Sequence, residues 1–228
     1  MENSKYVIIV AAGSGIRLGS PLPKQFLEIG GKAIVHHTME KFFAFDRSIK
    51  VLLVLNPDYF EWWKDYCYEH SFYEPHKLIE GGLTRFHSVQ NALKKVPEGA
   101  LVAVQDAVRP LLSVELIENM FHRMESSDKI GLIPVYPCVD TLISLNQDMR
   151  PMGTSPKREE TFTVQTPQIF RSSELKEAYN QPYDSQFTDD ASVLRSVYGE
   201  DCLSYCFGER YNLKITTRED LGIAEKLL

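Results

Sequence analysis

The sequence has no apolar run long enough to cross a bilayer: its longest, such as Tyr6 to Ala12 and Ala100 to Val104, have the length of a strand. Its N-terminus lacks the basic, apolar and small-residue order of a secretory signal, so a cytoplasmic protein without a membrane partner is expected. A basic excess is also missing. With a formal net charge of -6 the chain has no broad cationic surface to displace counterions from nucleic acid, and no nucleic-acid partner is expected. Cysteine is sparse. Cys67, Cys138, Cys202 and Cys206 form no CxxC pair and have no closely spaced histidine, which indicates neither a zinc site nor a disulfide framework. Repeats and low-complexity tracts are absent. What remains is ordinary globular composition, 43% apolar and 25% charged over 228 residues, enough for one sizeable core and read as a single domain over 1–228.

Short β-favouring apolar runs alternate with amphipathic stretches. The runs are YVIIVAA, VLLVL, KLIE, ALVAVQ, IGLIPVY and CLSYCF, an alternation that predicts an α/β fold with a mostly parallel sheet and helices on both faces. Helices are predicted over Thr84–Lys95, where Phe86, Val89 and Leu93 share a face, and over Ser113–Met124. Thr216 and Glu219 have capping-box spacing ahead of a last helix. From Pro137 to Thr166 the chain is polar and too long for an ordinary connection of about 4 to 6 residues. Its β-favouring pieces, Thr141–Leu145 and Thr161–Val164, predict a projecting hairpin that packs on a second subunit.

Two motifs carry chemistry. The segment VAAGSGIRLGSPLPKQF follows the first predicted strand; Gly13 and Gly15 permit a tight, positive-φ turn whose N–H groups face an anion, and Arg17 and Lys24 add full charges. It is not a Walker loop, because Lys32 after Gly30-Gly31 lacks the upstream glycine. It also misses the dinucleotide fingerprint, Gly19 falling one place late and no acidic residue closing a second strand. The second motif is Asp106-Ala107-Val108-Arg109-Pro110 at the end of another predicted strand. Ligands of open α/β sheets gather at the carboxyl ends of strands, so Asp106 and the glycine turn are expected in one crevice. A carboxylate beside phosphates points to Mg²⁺, with Asp106 as a metal ligand.

Taken in order, these motifs and several more make the sequence resemble the 2-C-methyl-D-erythritol 4-phosphate cytidylyltransferases. The resemblance covers nearly the whole chain: AAGSGIRLG with PKQF, GGLTRFHSV (81–89), DAVRP (106–110), Asp140-Thr141, QTPQIF (165–170), TDDAS (188–192) and NLKITTREDL (212–221). It implies a Rossmann-like nucleotide-diphospho-sugar transferase fold and a homodimer whose arms complete each other's sites. By the same resemblance Arg17 and Lys24 stabilise the α-phosphate of CTP in the transition state. Ala11, Ala12, Gly13, Gly15, Gly81, Gly82, Arg85 and Ser88 bind the nucleotide. Asp106, Arg109 and Thr141 lie near the sugar-alcohol phosphate, and Arg158, on the arm, with Lys214 positions its phosphate. At position 83 this chain has Leu where some relatives carry an acidic residue; backbone contacts from Gly81 and Gly82 do not depend on it.

The chemistry is consistent with that composition. A phosphate monoester has a second pKa of about 6, so the attacking oxygen is already anionic and needs no general base. The task is to bring two polyanions together and stabilise the charge that develops. The six histidines, His36, His37 and His87 among them, are expected to pack or face solvent. Two other readings remain open at this point: a ribitol-5-phosphate cytidylyltransferase, which shares several of the motifs, and a non-catalytic nucleotide-binding protein on the same fold.

Overall fold

The computed structural model describes residues 4–13 and 22–228. The strands are β1 (Lys5–Val10), β2 (Glu28–Ile29), β3 (Lys32–Ala33), β4 (Lys50–Leu55), β5 (His76–Glu80), β6 (Leu101–Asp106), β7 (Gly131–Pro137), β8 (Phe162–Val164), β9 (Gln168–Arg171) and β10 (Leu203–Phe207). The α-helices are α1 (Ile34–Phe45), α2 (Phe60–Glu69), α3 (Arg85–Leu93), α4 (Val114–Ser126), α5 (Ser172–Ala178), α6 (Asp190–Tyr198) and α7 (Arg218–Leu227). The main sheet has the order β10-β7-β9-β6-β1-β4-β5, with β8 paired to β7. Pairings among β5, β4, β1 and β6, and between β7 and β10, are parallel. The sheet is nevertheless mixed, because β9 runs antiparallel between β6 and β7, and β8 is antiparallel to β7.

The central strand runs read as continuously apolar because both faces are covered. In β1, Val7 and Ile9 face one core layer and Ile8 the other; in β4, Val51, Leu53 and Leu55 alternate with Leu52 and Val54 in the same way. Helices α1, α2 and α4 close the first layer, with Phe42, Trp63 and Phe121 among its largest buried side chains. Helices α3, α5 and α6 close the second, where Val89, Leu175 and Leu194 are buried. A smaller cluster seats α7, its Ala224 packed with Ile29, Ile34, Val108 and Ile215. No helix among the described residues is long and apolar enough to cross a membrane.

Within the body of the fold, local choices differ from the sequence expectations in two places. The last helix is capped by Thr217 and Asp220, not by Thr216 and Glu219. The shorter Asp220 side chain curls back so that one oxygen accepts from Thr216 N, Thr216 Oγ1 and Thr217 N at 2.8–2.9 Å, while Thr217 Oγ1 accepts from Asp220 N. Gly13 does not take the left-handed φ anticipated for it. The positive-φ pair is Gly30 (57°) and Gly31 (79°), the two-residue turn that joins β2 to β3, which explains the glycines ahead of Lys32 without any phosphate.

The segment 137–166 leaves the sheet as a hairpin. At its base Val135, Tyr136 and Pro137 pair with Val164, Thr163 and Phe162. Its far end turns on Asn146, whose Oδ1 accepts from Asp148 N and Arg150 N. Thr141–Leu145 does not form the expected strand; only Leu145 makes a bridge, to Pro151. Val139, Ile143, Met149 and Met152 on this arm are exposed apolar side chains.

Candidate active site

The register of the two central strands brings the motifs together. Val10 and Asp106 are direct partners at the carboxyl ends of β1 and β6, and Ala107 N donates to Val10 O. A cavity of about 500 Å³ opens there, lined by Ala11, Ala12 and Gly13 on one side, Gly82, Arg85 and Ser88 on another, and Lys24, Asp106 and Lys214 across from them. Gly15 and Arg17 lie outside the described residues. Gly81 is adjacent to the cavity but does not line it.

Each wall has a local cause. In PKQF, Phe26 is buried against the rings of Tyr59 and Trp62, which anchors the short 3-10 turn Lys24–Phe26. Gln25 then donates to both Ala11 O (2.6 Å) and Gly13 O (2.9 Å), tying the glycine turn to the motif that follows it. Lys24 Nζ donates to Ile215 O at 3.0 Å. On the opposite wall Thr84 caps α3, and Ser88 Oγ accepts from Gly82 N and donates to Thr84 O, both at 3.0 Å. Ser88 thus braces the Gly81–Thr84 turn from within. Gly81 and Gly82 are required by close approach, since a Cβ on either would lie 2.4 Å from the Cβ of Ala12 or His87 respectively.

Asp106 sits at the centre of a charge cluster. Lys214 Nζ is 2.8 Å from its Oδ2, Arg85 Nε 3.5 Å from Oδ1 and Arg109 Nε 3.6 Å from Oδ2. Burial alone would raise the carboxyl pKa, but Arg85, then Lys214 and Arg109, bring it down to about 2. Arg109 is itself buried and held by backbone: its Nη1 donates to Asn212 O at 2.6 Å, which fastens the strand end to the NLKIT segment. The NLKIT turn is fixed from the other side as well, Asn212 donating to Thr166 O and Gln165 exchanging hydrogen bonds with the Glu209 backbone.

A second cavity of about 250 Å³ adjoins the first, lined by Arg109, Gln165, Thr166, Gln168 and Thr188. Arg85, Asp106 and Lys214 line both cavities and form the wall between them. Gln165, Thr166 and Gln168 had no role assigned from sequence. The motif QTPQIF contained them, but only β9, inserted beside β6, turns them toward Asp106; Asp106 N donates to Thr166 Oγ1 at 3.1 Å. The structure does not bring Thr141 or Arg158 to either cavity of their own chain. Both are exposed on the arm, Arg158 in the short turn Arg158–Glu160.

Lys24, Arg85, Arg109 and Lys214 outnumber the acidic groups around these cavities, and a glycine-lined pocket of nucleotide size adjoins a smaller polar one. That arrangement, at the strand ends of an open α/β sheet, suits a nucleotidyltransferase, which must bring an anionic nucleotide against a second polar substrate. Comparison with known proteins narrows the class. The family model for 2-C-methyl-D-erythritol 4-phosphate cytidylyltransferase matches residues 6–228, and the chain belongs to that family. The enzyme of that name from Phocaeicola vulgatus is 44% identical over 225 residues, covering 99% of this chain and 100% of the relative. The one from Porphyromonas gingivalis strain W83 is 40% identical over 228 residues, covering 100% and 99%. Among solved structures, the Francisella tularensis 2-C-methyl-D-erythritol 4-phosphate cytidylyltransferase superposes with a TM-score of 0.80 at 29% identity, covering 99% of this chain and 100% of that one. The chain is therefore a cytidylyltransferase of the expected nucleotide-diphospho-sugar transferase type.

Proposed function

We propose that the protein transfers CMP from CTP to 2-C-methyl-D-erythritol 4-phosphate, giving 4-diphosphocytidyl-2-C-methyl-D-erythritol and pyrophosphate, as a cytoplasmic homodimer in isoprenoid precursor synthesis. The observation that carries the reading is the wall of Arg85, Asp106 and Lys214 common to the two cavities, because it lets a nucleotide in the larger and an acceptor in the smaller meet at one place.

In the reaction a phosphate oxygen of the acceptor attacks the α-phosphorus of CTP. The new P–O bond forms as the bond to the β-phosphate breaks, and pyrophosphate leaves with the bonding electron pair. The acceptor oxygen brings its own negative charge, so no side chain has to remove a proton. Lys24, with Arg17, offsets the charge that builds on the α-phosphate, while Lys214 holds the acceptor phosphate in line. Backbone N–H groups of Ala12 and Gly13 face the triphosphate, and the turn at Gly81 and Gly82 receives the base. Asp106 and Arg109 flank the acceptor's polyol.

Among the described residues Asp106 is the one carboxylate lining the larger cavity, and no group of three or more His, Cys, Asp or Glu could hold a metal. That donor set fits a Mg²⁺ ion whose ligands come mostly from the triphosphate and water, with Asp106 as the protein oxygen. Such an ion supplies charge neutralisation to the phosphates.

The arm supports a shared site. Thr141 and Arg158 are exposed in their own chain, and the arm that carries them presents apolar side chains to solvent, as a segment seated on a second copy would. In that dimer Thr141 and Arg158 complete the partner's acceptor cavity.

The deciding experiment is pyrophosphate release from CTP and Mg²⁺ with methylerythritol 4-phosphate and ribitol 5-phosphate in parallel reactions. Release with the first alone is expected. Release with the second alone would move the chain to ribitol phosphate chemistry, and silence with both would leave a nucleotide-binding protein.

A further inference from the structure

Asp190 of the TDDAS motif lines neither cavity, yet it is the most deeply buried acid near the site. Asp190, the first residue of α6, is fully buried. Its Oδ1 accepts from Arg85 Nη1 at 3.0 Å and its Oδ2 from Arg85 Nη2 at 2.7 Å, a bidentate pair between residues 105 positions apart. Tyr179, also buried, donates its hydroxyl to Asp190 Oδ1 at 2.6 Å. Its neighbour Asp189 does different work, capping α6 through Ser192 and accepting from Gln168 Nε2.

A buried ion pair is not needed for packing, since apolar side chains of equal volume commonly stabilise as well or better. What a bidentate carboxylate gives an arginine is a fixed plane. Arg85 has a long side chain that lines both cavities, and its Nε lies 3.5 Å from Asp106 Oδ1. Held only by Asp106, the guanidinium could turn toward either bound anion. Gripped from behind by both nitrogens, it stays in the wall, with Nε toward Asp106.

We propose that Asp190 is a positioning residue that acts through Arg85, fixing the guanidinium in the wall between the two cavities so that neither phosphate group draws it away. Tyr179 supports the same carboxylate and lines neither cavity. The inference rests on the reading of the cavities as nucleotide and acceptor subsites.

The test is a double-mutant cycle of Asp190→Asn and Arg85→Gln, reading kcat, the KM of each substrate, and the Kd of CTP by calorimetry. Asp190→Asn alone is expected to raise both KM values and the CTP Kd about 10-fold, and to add less than about twofold on the Arg85→Gln background. A merely structural role reduces the active fraction, so kcat falls with both KM values unchanged; that result, or equal losses on both backgrounds, overturns the proposal. Should Asp190→Asn fail to fold, Tyr179→Phe carries the cycle: a rise of about threefold in both KM values that disappears with Arg85→Gln supports it, and an unchanged or additive effect overturns it. A wild-type chain that binds CTP without turnover fails the assigned reaction alone, and the cycle is then decided on CTP Kd. Absence of both binding and turnover overturns both.

Discussion

Lys214 Nζ lies 2.8 Å from Asp106 Oδ2, joining the NLKIT segment to the end of β6 across the opening of both cavities. The pair couples an exposed cation, its side chain 43% accessible, to a carboxylate that is nearly closed off. The lysine can therefore turn to an incoming phosphate without leaving Asp106 unpaired, because Arg85 and Arg109 remain beside it. Lys214→Ala is expected to keep the fold and to lower kcat/KM for the acceptor by about 10²-fold, with little change in CTP binding. Steady-state kinetics with the acceptor varied, beside calorimetry with CTP, separates the two effects; a CTP Kd weakened as much as kcat/KM would place Lys214 on the nucleotide instead.

Lys24 and Arg158 stand at opposite ends of the proposed shared site, one beside the glycine turn and the other on the arm. Lys24→Ala is expected to lower kcat by about 10² to 10³ through lost transition-state charge stabilisation. Arg158→Ala is expected to be nearly inactive as well. In a mixed dimer one of the two sites then carries neither substitution, so mixing the two variants should restore activity to a fraction of the wild-type value. Mixed dimers verified by mass spectrometry that stay inactive would place Arg158 at the site of its own subunit.

Gly81 meets Ala12 with no room for a methyl group: a Cβ at position 81 would lie 2.4 Å from the Cβ of Ala12, an atom that cannot rotate away from the backbone. Gly81→Ala must push the Gly81–Thr84 turn away from the glycine-rich turn, at a cost of about 1–3 kcal/mol. Weaker CTP binding is expected together with a lower Tm. Gly81→Ala with Ala12→Gly should recover much of both, because the second change removes the atom that the first one strikes.

His36 gives a pH dependence remote from the site. It is buried beside Phe72, with Nδ1 2.9 Å from the Tyr66 hydroxyl and Nε2 3.4 Å from Glu40 Oε1. Burial lowers its pKa to about 4, against the opposing pull of Glu40. The unfolded chain, titrating near 6.5, therefore binds more protons than the folded chain between about pH 6.5 and 4, and stability falls as pH drops through that window. Replacing the imidazole by a group that does not titrate, His36→Gln, should flatten the decline by about 3 °C or more in Tm between pH 7 and 4.5. Parallel melting curves for the two proteins would show the idea wrong.

Much of the frame is legible in the chain. The six apolar runs all became strands of the main sheet; β1 and β4, covered on both faces, read as continuous apolar runs, while the edge strands β5 and β10 keep exposed positions. Helices α3 and α4 show their buried faces at 3.6-residue spacing, and Thr84 and Ser113 mark their starts. Strand β9 escaped notice: Gln168–Arg171 is four residues long and carries a buried glutamine whose partners, Asp189 and Ala191, lie in another motif. The capping of α7 was off by one residue because Thr216/Glu219 and Thr217/Asp220 have equal spacing, and side-chain reach decides between them.

The sequence by itself determined that the glycine-rich turn and the DAVRP motif share one crevice, because each follows an apolar run that becomes a central strand, β1 or β6. Only the tertiary structure decided how they are held. Arg85 and Asp190, Arg109 and the Asn212 carbonyl, and Lys214 and Asp106 are each about a hundred residues apart, and no local pattern encodes such pairs. They exist because β9 enters between β6 and β7 and the chain returns through α6 and β10, which closes Asp190, Arg109 and Asp106 against their partners where little water can stand in for them.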